Sequence, residues 1–171
     1  MTTEIEQKQQ TGRTGFALRT RTKVAVTTAV LGILAFLFGP VAPLGELIWP
    51  APAIDVTPTS TQLAFLLLYD AIAALAFGFG IAYLVFGWRY VREVFGHVRR
   101  NLAILVHVCI FWIIWQEWVH YHLHTIVGMD LTGLILIEYG FHATVLLAGA
   151  LVAFGFFTLA TDDLGVTGTT E

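Results

Sequence analysis

Glu117, His120 and His124 stand three and four residues apart in the stretch WIIWQEWVHYHLHTIVGMDLTGLILIEYGFH, residues 112–142, and Glu138 and His142 follow at a spacing of four. Imidazole nitrogen and carboxylate oxygen together suit zinc, iron, manganese or copper, and two ligands at such spacings can grip one ion from a single helix face. At about 100° per residue, His120, Tyr121 and His124 all fall within about 60° of Glu117. Asp70 is a further ionisable residue set deep in an apolar run, and Asp130 lies between the two histidine-rich segments. Charged groups in such surroundings are costly unless they find a partner or a role. The expected ligand set is therefore Glu117, His120, Glu138 and His142, with His124 or Asp70 completing the shell.

The elements that must position these residues are membrane spans. The chain is 57% hydrophobic and only 12% charged, against roughly 25% charged in an ordinary soluble domain. Four segments, near Val24 to Phe38, Gln62 to Phe86, Leu102 to His124 and Leu131 to Ala160, are each apolar over about the 20 residues a span requires. The expected fold is all-α, an integral membrane four-helix bundle occupying residues 21–160, multi-pass in the cell membrane. A polar N-terminal segment, 1–20, is expected to be disordered, and 161–171 forms a polar, acidic tail. The nine Lys and Arg residues all precede the first span or lie between the second and third, which places both termini in the cytoplasm by the positive-inside rule. The basic start before Val24 to Phe38 also fits a signal peptide, although no small-x-small cleavage motif follows at once.

Within that frame the polar residues share a depth. Counting along the helices from the loop between the third and fourth spans puts His120 and Glu117 about 8 and 12 Å deep, with Glu138 and His142 about 8 to 15 Å deep. Asp70 lies about 12 Å in from the same side of the second span. Ala74 and Gly78 continue its stripe, and small residues at this spacing let helices approach closely, so Asp70 is expected to point into the bundle. Trp115, Trp118 and His122 fall on another face of the third span, which is expected to meet lipid or a partner subunit. His122 is expected to point away from the ligand cluster, at the headgroup layer. Trp49, in the proline-rich loop, is suited to the aromatic belt at the same surface. The hairpin GWRYVREVFGHVRRN is expected to rest on the inner leaflet, with His97 at its surface.

The chemistry admits several classes. Carboxylate-bridged dinuclear sites in four-helix bundles use Glu-x-x-His twice plus a glutamate from each remaining helix; this chain has one such motif, so a mononuclear or copper site fits equally. The order of tryptophan, histidine, acidic loop and histidine across Trp118 to His142 resembles the C-type subunit of copper membrane monooxygenases, and that resemblance implies copper. The family's Asp-x-x-x-His and Asn-x-x-x-His pairs are absent, with Gln116 four before His120 and His120 four before His124. A transition metal (copper, iron or zinc) at the outer layer, with a redox or oxygen-handling role, is the first expectation. A haem b subunit clamped by His120 or His124 with His142 is the second. A non-enzymatic accessory subunit or proton or ion relay, acting with partner membrane subunits or as a homo-oligomer, is the third. No basic run interleaved with aromatics points to nucleic acid. The lone Cys109 excludes an internal disulfide.

Overall fold

The computed structural model describes residues 2–40, 42–49, 58–128 and 130–165, with side chains described between 20 and 158 within those ranges. Helix α1 runs Thr2–Leu37, α2 Ser60–Arg92 and α3 His97–Val127; α4, Leu131–Glu138, continues through a π-helical turn, Tyr139–Ala143, into α5, Thr144–Gly165. Four helical stretches, Thr20–Leu37, Ser60–Arg92, His97–Val127 and Leu131–Thr158, are long and apolar enough to cross a membrane. They coincide with the four apolar segments of the sequence. The structure carries α1 back to Thr2, through the segment that composition assigns to disorder, and carries α5 to Gly165, into the segment assigned to the tail.

Local chemistry sets the helix ends. Thr59 opens α2 with a capping box: its hydroxyl accepts from Gln62 N at 3.4 Å, and its own N–H donates to Gln62 Oε1 at 2.9 Å, satisfying two helix-end donors. Asp130 starts α4 in the same manner, its carboxylate accepting from Thr132 N at 3.2 Å and Gly133 N at 3.1 Å. Asp130 is thus the N-cap of α4. Gly96, at φ +83°, turns the chain between α2 and α3, and Gly128, at φ +59°, ends α3. A side chain would be strained at either. Because α2 continues to Arg92 and α3 begins at His97, the expected surface hairpin is reduced to a four-residue connection.

The principal contacts join sequence neighbours: α1 packs on α2, α2 on α3, and α3 on both α4 and α5. Small residues permit this. A Cβ at Gly78 would lie 2.5 Å from the Thr28 carbonyl oxygen and 2.8 Å from Gly32 N on α1. On the other side of α2, a Cβ at Gly80 would lie 3.0 Å from Trp115 Cβ. The stripe through Asp70, Ala74 and Gly78 is buried, as its spacing predicts.

Helix α3 is thus clamped between neighbours, and its aromatic face turns inward. Trp118 is buried with Ala35, Ala73 and Ala74, and Phe77 and Trp49 pack against them. The expectation that this face meets lipid or a partner is corrected: bulky rings on α3 fill the space that the small residues of α1 and α2 leave. Trp49 packs onto the same face at the loop end. Its indole donates to Phe38 O at 2.7 Å and lies against Trp118 and His122, with centroids at 5.7 and 5.9 Å.

The two ends of the molecule differ in charge. Arg21, Lys23, Arg89, Arg92, Arg99 and Arg100 mark one end, hereafter the basic end. Gly39, Trp49, Thr59 and Gly128 mark the other, the loop end.

Candidate metal centre

The π-helical turn follows Glu138 directly and contains His142. An α-helix holds i to i+4 bonds; one extra residue in a turn widens it and releases carbonyls from that pattern. The Thr144 hydroxyl turns back toward two of them, 2.6 Å from Gly140 O and 3.0 Å from Phe141 O, and itself accepts from Trp112 Nε1 at 3.0 Å. Helix α3 therefore braces the turn through Trp112. Phe141 completes the brace, stacking on Trp112 at 6.0 Å and 4° and on His120 at 5.0 Å and 19°.

Across that contact His120, Glu138 and His142 converge, one ligand-type atom from each lying within 4.8 Å of the others. Glu138 Oε2 is in close contact with His142 Nδ1, four residues on. Its other oxygen, Oε1, is 3.4 Å from His124 Nε2, which is in turn 2.9 Å from His120 Nε2. Three imidazoles thus surround one carboxylate, on the two helices and at the spacings that the sequence indicates. His120 is buried at 7% exposure, whereas the side chains of His124, Glu138 and His142 are 34, 45 and 58% exposed. One flank is consequently open, which leaves room for an exchangeable ligand.

Two expected members of the set are elsewhere. Glu117 shares the α3 face but turns toward α2: the Tyr69 hydroxyl donates to its Oε1, and Gln116 Nε2 donates to its Oε2 at 3.3 Å. Nothing in the bare spacing of glutamates and histidines marks Tyr69 as a competing donor.

Asp70 lies at a comparable depth but on the opposite side of α3, where its Oδ1 is 3.1 Å from His122 Nε2. Both residues are buried, at 3 and 1% exposure. Neither atom makes an aligned hydrogen bond, so the contact is one of close approach. His122 Nδ1 lies 2.5 Å from Trp118 O; since a carbonyl only accepts, this nitrogen carries a proton and donates. Gly39 covers the pair so closely that a Cβ there would be 2.9 Å from His122 Nε2 and 3.4 Å from Asp70 Oδ2.

His122 does point away from the histidine–glutamate cluster, as indexing predicts, but inward and not to the headgroup layer. Being about 140° around the helix from Glu117, it faces α1 and α2, and the Trp49 loop seals it from above. The remaining histidines are separate from the cluster. His107 is buried with Nε2 3.2 Å from Leu84 O, and His97 is exposed at the start of α3.

No protein-family model matches this chain, and no curated protein or solved structure matches it; the residues and their geometry carry the functional argument.

Proposed function

We propose that the chain spans a cell membrane four times, with both termini cytoplasmic, and holds a transition-metal ion between α3 and the α4–α5 turn near the outer face. His120, His124, Glu138 and His142 are the ligands in this reading, and Glu117 and Asp70 are not. The observation that carries it is the convergence of His120, Glu138 and His142 within 4.8 Å, with His124 adjoining both His120 and Glu138. Three imidazoles and a carboxylate suit zinc, copper or iron. With metal–ligand bonds of about 2 Å, ligand atoms around one ion sit about 3 to 4 Å apart, so the set needs to draw in by about 1 Å. The exposed Glu138 and His142 side chains have freedom to do so.

The functional consequence depends on the ion. Copper or iron would give an electron-handling or oxygen-handling site; zinc would give a Lewis acid. The open flank favours an ion that exchanges a ligand over one enclosed for structure alone. The geometry also favours a compact ion over haem. Two imidazoles bonded to opposite sides of one iron would have ring centroids about 6 Å apart, given bonds of about 2 Å. His120 and His142 stand at 4.8 Å, edge to face, and Phe141 stacks on His120.

Element analysis of detergent-purified protein, after supply of zinc, copper and iron in turn, tests this reading. One ion per chain is expected, lost in Glu138→Ala and His142→Ala and kept in Glu117→Ala and His97→Ala. A folded wild type that takes up none of the three ions refutes it.

A further inference from the structure

At the basic end, α1 and α2 line a groove of about 760 Å³. Ala25 and Ala29 leave the space; Val24, Phe79, Tyr83 and Phe86 form its apolar walls. The mouth has a different character. Arg21 stands at its edge, and Arg89 reaches it from α2, Nη1 donating to Thr20 Oγ1 at 3.4 Å with the guanidinium 4.7 Å above the Tyr90 ring.

We propose that this groove binds one anionic phospholipid, its phosphate held by Arg21 and Arg89 and one hydrocarbon chain lying in the trough. The groove has the volume of a single-ligand pocket, within about 300 to 1,000 Å³. Two guanidinium groups above an apolar channel complement a headgroup with negative charge and a chain attached to it. Arginine matches phosphate oxygens with paired donors, and basic pockets between spanning helices at the cytoplasmic side select anionic headgroups. The same end carries Lys23, Arg92, Arg99 and Arg100 as well, against Glu93 among its described side chains, so the field over the groove mouth is positive. The inference rests on the membrane-spanning reading but not on the metal, which lies at the other end of the helices.

The test is native mass spectrometry of protein recovered from vesicles of equimolar phosphatidylglycerol and phosphatidylcholine. One retained phosphatidylglycerol per chain is expected, in clear excess over phosphatidylcholine. Arg21→Ala should reduce that preference about fivefold, as expected for one cation near an anionic headgroup. Arg100→Ala, which lies outside the groove and adds only to the field at that end, should reduce it much less than Arg21→Ala, and Ala25→Phe, which fills the trough, should abolish retention with helix content intact. Equal retention of the two lipids overturns the proposal, as does an identical response to Arg21→Ala and Arg100→Ala. Release of the chain from membranes by alkaline carbonate would instead overturn the spanning reading beneath it.

Discussion

Exchange of Asp70 for alanine probes the most deeply buried polar contact among the described residues. Asp70 and His122 are 3 and 1% exposed and approach to 3.1 Å, so removal of the carboxylate strands an imidazole with no solvent to replace it. Leaving one member of a buried polar pair without its partner costs about 1 to 3 kcal/mol; with neither residue open to solvent, the upper end, about 2 to 3 kcal/mol, is expected. A double-mutant cycle isolates the pair. His122→Phe keeps the ring volume against Trp49 and Trp118 but also loses the bond to Trp118 O, worth about 1 kcal/mol. Asp70→Ala combined with His122→Phe should therefore cost less than the sum of the single changes, by about 1 to 3 kcal/mol. Unfolding in mixed micelles followed by tryptophan fluorescence gives the values, and the reporters are local, because Trp118 and Trp49 lie 4.6 and 5.9 Å from the His122 ring. A cost below about 1 kcal/mol for Asp70→Ala, with additive effects in the double variant, would refute the reasoning. Metal content should be unchanged in Asp70→Ala, since its carboxylate faces away from Glu138.

Gly78→Leu should lower stability by about 2 to 3 kcal/mol, since even its Cβ would meet the α1 backbone at 2.5 Å and overpacking of this kind forces helices apart; thermal unfolding in detergent measures it. Trp112→Phe keeps the stack on Phe141 but removes the donor to Thr144, for an expected loss of about 1 kcal/mol by the same method. Single cysteines placed in a Cys109→Ser background should label from the cytoplasm at position 97 and from outside at position 46; the reverse pattern would overturn the orientation.

The four long apolar helices were legible because hydropathy needs no knowledge of neighbours, and the pairing of His120 with His124 and of Glu138 with His142 followed from helical period alone. Helical period carries no information on rotation about the helix axis relative to other helices. Counting residues gives the depth of Asp70 correctly, yet depth is one coordinate of three, and Asp70 meets the side of α3 that carries His122. The burial of His122 depends on Trp49, 73 positions earlier, folding back over the loop end. Local hydropathy reads a histidine near a helix end as interfacial because it contains no term for such a lid. Glu117 was assigned by its face, which is right, but a carboxylate follows its nearest donor, and Tyr69 supplies one. The inward turn of the aromatic face has a signal in hindsight: Gly78, Gly80, Ala73 and Ala74 on α2 leave volume that only large side chains opposite can fill.

The π-helical turn makes the alignment of Glu138 with His120 depend on a single residue of chain length. Deleting Tyr139 or Gly140 would let the helix close into ordinary α geometry. The half of the span before the turn would then rotate by about 100° relative to the half after it. Glu138 would swing out of reach of His124 while α5 kept its place on α3. Length variation at this one point could thus assemble or dismantle the centre without altering a ligand, so a chain of this fold that is one residue shorter here should keep the histidines and lose the convergence.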